Sequence, residues 1–281
     1  MSIPIKPEDT NDRVLQSTRI LASIIVPILL AAFIMLFLFP DDTGTLFAWP
    51  IKPRMSAMML GATYLGGAFF FTKVALAKNW HTVSLGFIPV TAFAGILGIA
   101  TLLHWDLFTK GHISFILWAF LYLTLPIVIP IIWVINRLVN QREHELVEKL
   151  PQTFRWAYGI LGSVLTFVSL LFLISPEFMI PTWPWPLSPL TSRVLSAMFA
   201  LPGLVGISAA IDGRWSSVKI IFQSQALSIV LILLAMMRAQ DEIFWSKWGS
   251  WFFVSGLLLV LALIGWGFLL SRNPRVEAPQ S

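Results

Sequence analysis

Residues 20–39 read ILASIIVPILLAAFIMLFLF, twenty positions without a charge. At about 1.5 Å per helical residue the run is roughly 30 Å long, the thickness of a bilayer's hydrocarbon core. Pro40 follows and lacks the N–H that the next helical hydrogen bond would need. The run is too long for the apolar core of a secretion signal and has no clear small-residue cleavage site, so it reads as a retained helix.

The rest of the chain is built alike. Of its residues 57% are hydrophobic and 12% charged, and the mean hydropathy is +0.80. A soluble domain carries about 25% charged and about 45–50% apolar residues, so lipid has to solvate much of this surface. Eight spans are predicted, roughly at 17–39, 55–77, 83–103, 113–136, 156–175, 191–211, 218–237 and 250–271. Pro40 and Pro176 stop the first and fifth.

The sequence is also written twice. Arg19, Pro40, Asp41, Trp49, Pro50 and Pro53 recur 136 residues later as Arg155, Pro176, Glu177, Trp185, Pro186 and Pro189. Trp80, Asp106 and Arg137 recur 135 residues later as Trp215, Asp241 and Arg272. One residue of slip over most of the chain means two copies of one unit. Four spans per copy is an even number, so both copies enter the membrane in the same direction. The expected fold is all-α: a polytopic membrane protein with eight transmembrane helices as two parallel four-helix repeats. Its parts are an N-terminal tail (1–14), a first repeat (15–139), a charged linker (140–151), a second repeat (152–272) and a C-terminal tail (273–281).

Eight spans place both termini on one side. Lys52, Arg54, Lys110, Arg193, Arg238 and Lys247 fall on the other side, and the remaining 13 of the 19 Lys and Arg fall with the termini. The positive-inside rule makes that side cytoplasmic. The net charge of +5 is therefore read as an orientation signal, and nucleic acid is not expected as a partner. Membrane lipids are expected, and other membrane subunits are a further partner class. Cysteine is absent, which removes disulfides, thiolate catalysis and cysteine-held metals.

Most of the 13 Trp lie near span ends, where an indole settles at headgroup depth. The loop PTWPWPLSPLTSR at 181–193 and its degenerate copy FAWPIKPR at 47–54 are stiffened by alternating prolines. They are read as rigid lead-ins with Trp anchors. The alternative is an outer aromatic site or docking surface formed by Trp49, Trp183 and Trp185. A Trp-Pro-Trp-Pro-Leu-Ser/Thr-Pro-Leu-Thr loop before a span, a later Trp and then an Asp before a fourth span, resembles a group of bacterial integral membrane proteins built from such a four-helix unit. The second half carries the motif through Trp183, Trp185, Pro186, Pro189, Thr191 and Arg193. The first half departs from it at Ala48, Lys52 and Arg54. The resemblance implies a bacterial cytoplasmic membrane and no activity.

Ionisable residues deep in a span mark ion coupling, and this chain has essentially none. Lys73, Arg193 and Lys219 lie near span ends, where long side chains reach water. The deepest polar cluster is Gln223-Ser224-Gln225. The two glutamines point to different helix faces, so at most one meets a central cavity, and interhelical hydrogen bonding is the plainer reading. Their first-half counterpart, Ile88-Pro89-Val90, is apolar. Asp41, Asp106, Glu177 and Asp241 all lie on the outer side, where they form either an acidic vestibule or ordinary loop charge. His104, Asp106 and His112 share a loop but match no metal-ligand spacing. No catalytic, cofactor-binding or metal-ligating residue is assigned. Gly61, Gly66, Gly67, Gly95 and Gly98 are read as packing positions, and Pro126, Pro130 and Pro202 as helix kinks. The functional expectation is a non-enzymatic, transport-type membrane protein with a pathway for an uncharged or apolar solute between the halves. The alternatives are an accessory subunit of a larger membrane complex and a membrane-embedded lipid-modifying enzyme.

Overall fold

A computed structural model describes residues 12–140 and 149–272. The tails at 1–11 and 273–281, and most of the predicted charged linker, lie outside the described residues. Eight helices are long and apolar enough to cross a membrane: Gln16–Leu38, Arg54–Leu76, Ser84–Leu103, Ile113–Val139, Gln152–Ile174, Pro189–Asp212, Trp215–Arg238 and Trp248–Ser271. Below they are the first to eighth spans. Among the described residues there is no strand, only an isolated bridge between Lys149 and Arg214. The chain is an all-α, multi-pass membrane protein.

The helix ends follow local chemistry. Pro40 and Pro176 stand just beyond the first and fifth spans and open short helices of their own. The sixth span closes on Gly213 at φ +70°, a left-handed cap that glycine adopts without a Cβ clash. That tight turn lets the seventh span begin at Trp215, three residues earlier than hydropathy suggests. Pro27, Pro126, Pro130 and Pro202 lie inside their helices. The last turn of the first span, Ile34–Leu38, widens into a π-helix. There Arg238 donates to the carbonyl of Phe37 at 2.8 Å.

The connections gather on two faces. On one, Arg54 pairs with Asp241 and Thr109 N–H donates to Ala48 O at 2.9 Å, joining the loops before the second, fourth and eighth spans. On the other, Val14 N–H donates to Lys78 O and Leu150 N–H to Gly213 O. Buried Asn136 holds the start of the first span there. Its Oδ1 accepts from Leu15 N–H at 3.1 Å and its Nδ2 donates to Thr18 Oγ1 at 2.6 Å.

Composition sorts the spans by depth. The second, third and sixth are the most buried, although the second is the least hydrophobic of the eight. A helix surrounded by other helices needs close approach more than apolar surface, and small residues supply it. Gly162, Gly203 and Gly206 bring the fifth and sixth spans into backbone contact: a Cβ added to Gly206 would lie 2.7 Å from both Gly162 Cα and Tyr158 O. The first, fourth, fifth and eighth spans turn Ile24, Phe120, Phe167 and Leu269 outward, as lipid contact requires.

Contacts recur at the sequence intervals noted above. Arg19 donates to Ala75 O and Ala77 O at the end of the second span, and Arg155 to Ala210 O and Ile211 O at the end of the sixth. The Thr109–Ala48 hydrogen bond has its counterpart in Phe244 N–H donating to Pro184 O at 2.7 Å. The rings of Phe47, Trp49 and Trp118 pack as a trio, and so do Trp183, Trp185 and Phe253.

Replacing Gly206 by Leu should lower the melting temperature in detergent, because overpacking a closed contact costs about 1–3 kcal/mol. Gly95→Ala should match or exceed the parent, since its Cβ would meet nothing within 4 Å. Equal melting of Gly206→Leu and the parent would contradict the packing described here.

Candidate functional site

The fourth span lies close on the third, and the eighth lies less closely on the seventh. In the first pair a Cβ on Gly98 would come within 2.4 Å of the carbonyl oxygen of Tyr122. The corresponding position in the second pair, 135 residues on, is Leu233. Gly256 of the eighth span faces open space.

The space left is a cavity of about 440 Å³. All eight spans contribute to its wall, from Ile25 and Leu29 of the first to Gly256 and Val260 of the eighth. It runs from Trp183 and Gly249 at the loop face to Gly86 near the opposite end. Its volume is in the range of small-molecule sites. The lining holds no Asp, Glu, Lys, Arg or His, and its tyrosines are neutral at pH 7.

The polar groups in the wall are few and mostly occupied. Tyr64 and Tyr122 share a hydrogen bond of 2.8 Å. Ser224 Oγ donates to Gly66 O at 2.7 Å, which ties the seventh span to the second. Gln225 Oε1 accepts from Tyr158 OH at 2.8 Å, while Gln225 Nε2 is buried with no partner. Trp183 Nε1 is likewise buried without a partner. Gln225 lines the cavity and Gln223 does not, in keeping with their opposite helix faces. Val90, the first-half counterpart of Gln225, lines it as well, so the amide is present on one side only.

The three tryptophans picked out from the sequence do not form an open outer surface. Trp49, Trp183 and Trp185 are 3%, 6% and 0% exposed. Trp49 packs edge-on against Trp118 and Phe108, and Trp185 N–H donates to Ser56 Oγ of the second span at 2.9 Å. The prolines bend the loops back into the bundle, so the indoles serve as plugs under the loop face, and Trp183 alone of the three borders the cavity. Trp80 is also buried, tilted against the ring of Phe87, whereas Trp156, Trp248 and Trp251 are exposed at the perimeter. Trp118 escapes a reading based on span ends because it sits inside the fourth span, where its N–H donates to Thr101 Oγ1.

The four acids are dispersed in role. Asp106 pairs with Lys110 at 2.6 Å, which holds its carboxyl below the usual range, and Asp241 pairs with Arg54. Asp41 and Glu177 are exposed in the first turns of the short helices behind Pro40 and Pro176. Paired charges, more than free carboxylates, set the field of this face. Glu242 does more than any of the four. Its two oxygens accept from Arg54 N–H at 3.2 Å and Met55 N–H at 2.9 Å, capping the second span from the loop before the eighth. A Glu outside the capped helix's own sequence carries no local capping signal.

His104 Nε2 lies 2.8 Å from Arg193 Nη1, and Arg193 Nε also donates to Leu173 O. His112 Nδ1 accepts from Ser114 N–H as a helix cap. Among the described residues no three His, Asp or Glu converge as metal ligands would. Burial first, and then the Arg193 charge, lower the His104 pKa from 6.5. A depressed pKa favours the neutral ring in the folded state. The contribution is therefore present above the unfolded value and lost as pH falls through the folded one. Thermal stability should decline on acidification from about pH 7 to about pH 5, and His104→Gln, which keeps a neutral acceptor, should flatten that decline. Parallel pH profiles for the two proteins would exclude it.

No protein-family model, curated protein or solved structure matches this chain, so what the site does has to be read from its own residues.

Proposed function

We propose that this protein moves an uncharged or apolar solute through the membrane, without catalysis, along a pathway between its two halves. The carrying observation is the cavity to which all eight spans contribute and whose wall holds no Asp, Glu, Lys, Arg or His. A charged solute would lose its hydration there with nothing to replace it. The wall offers no carboxylate, imidazole or amine to carry a coupled proton, so movement is read as passive. The two halves are taken as parallel four-helix repeats about an axis along the membrane normal, consistent with contacts that recur 135 and 136 residues apart. The face carrying Val14 and Leu150 is assigned to the cytoplasm by its Lys and Arg excess, and the bacterial membrane follows from the resemblance alone.

An accessory role is favoured by one observation of its own. Trp248, Trp251 and Phe252 stand exposed in a row at the start of the eighth span, on the side where that helix is least packed. A subunit interface there would use the same aromatic edge that otherwise meets lipid.

Proteoliposomes test the two readings together. Purified protein should speed the exchange of an uncharged apolar fluorescent probe, with no dependence on pH or sodium gradients. Gly256→Phe, which grows a ring into open space, should return the rate to that of empty liposomes at unchanged helicity. A parent rate equal to empty liposomes, with a stoichiometric protein partner on native purification, would replace transport by the accessory role.

A further inference from the structure

The fifth and eighth spans are joined near their ends and part between them. At the end away from the loop face, the rings of Phe154 and Trp266 lie 5.3 Å apart, and a Cβ on Gly267 would come within 3.1 Å of the Phe154 ring. At the loop face, a Cβ on Gly249 would come within 2.2 Å of the carbonyl oxygen of Thr182, just beyond the fifth span. Between these closures the two helices make little contact, and a Cβ on Gly256 would meet nothing within 4 Å. Val164 of the fifth span and Phe252 and Leu259 of the eighth border the gap. Each lines the cavity, and each is exposed. The cavity is therefore reached from the side, through a window between two lipid-facing helices.

The window lies in the loop-side half of the bundle. The eighth span lines the cavity from Gly249 to Val260 and no further, in a helix that continues to Ser271. That stretch rises about 16 Å, close to half of the roughly 30 Å hydrocarbon core, which is the depth that one leaflet's chains occupy. The wall asks for nothing polar. Thr63 Oγ1 donates to Met59 O, Ser224 Oγ to Gly66 O and Ser228 Oγ to Ser224 O. The unpartnered Trp183 Nε1 and Gln225 Nε2 are sealed from the space. An apolar space of this kind stays dry, and while it is empty its lining forfeits dispersion contacts.

We propose that the cavity admits, through this window, the hydrocarbon chain of a lipid from the loop-side leaflet. The chain lies along the cavity. The lipid's polar end stays at the loop face, where Lys247 and Trp248 stand at the start of the eighth span. A chain already in the bilayer has no hydration to lose on entry, and its flexible methylenes fit an irregular apolar wall. A compact polar solute would lose its water there and find the hydroxyls of Thr63, Ser224 and Ser228 already donating elsewhere. The assignment rests on the cavity of the transport reading and names its solute class, long-chain lipid.

The test is photocrosslinking in liposomes. The full-length protein is reconstituted in phosphatidylcholine containing a small fraction of a phosphatidylcholine with a diazirine midway along one chain. After irradiation and digestion, labelled residues are mapped by mass spectrometry. Label is expected on Phe120 and Phe167, which face the bilayer, and also on Thr63 of the second span and Phe199 of the sixth, which line the cavity. Gly256→Phe should lose the label on Thr63 and Phe199 and keep that on Phe120 and Phe167. Leu259→Trp, at the window's rim, is a second block should the first variant not fold, and melting temperatures report on both. An unlabelled Thr63 and Phe199 in the parent, or label persisting there in both folded variants, would overturn the assignment. Labelled wall residues with no probe exchange in proteoliposomes would leave the chain in place and overturn transport alone. Exchange with an unlabelled wall would overturn this assignment alone.

Discussion

Eight apolar helices in lipid leave their last carbonyls without partners, and on this constraint the rest of the structure depends. Arginine answers it at four places. Arg19 and Arg155 cover the ends of the second and sixth spans, and Arg238 and Arg193 cover Phe37 O and Leu173 O at the ends of the first and fifth. A guanidinium can reach several carbonyls from one side, and its charge suits the negative end of a helix. Each of these arginines comes from a different span than the one it caps, so capping and assembly are one event. Hydrogen bonds to a charged group contribute about 1.5–3 kcal/mol each, which makes these joints stronger than most helix–helix hydrogen bonds in membranes.

The same four residues explain why charge looked peripheral in the sequence. All lie near span ends, and reading Arg193 as a side chain that reaches water places it at the right depth but misses its partners, Leu173 O and His104. Helix number and approximate bounds were legible because hydropathy and proline act locally. Partners were not, because they lie far off in the chain: Glu242 caps the second span from 187 residues away. The tryptophans illustrate the opposite error. Composition places an indole at the interface by default, but the prolines of 181–193 turn Trp183 and Trp185 inward, where each packs among rings from other elements.

The candidate cavity was least legible of all, because it depends on what is missing. Gln225 could be named from its polarity, and its opposition to Gln223 from helical geometry. Nothing in a single sequence says that Tyr158 uses up one end of that amide and leaves the other free. An idle donor is a property of the packed structure and has no composition signature.

The two halves differ in where glycine brings their helices together. Where the first half has Gly98 against the backbone of the fourth span, the second half has Leu233, and its seventh and eighth spans lie less closely together. Close glycine packing then shifts, in the second half, to the fifth and sixth spans through Gly162, Gly203 and Gly206, where the first half has Val26, Gly67 and Phe70. The second half is thereby held tightly on one side and loosely on the other. A pair of identical halves would have either two such loose pairs or none. Here the looser pair is the seventh and eighth spans alone. Rigidity on one flank is what allows space on the other without loss of the fold.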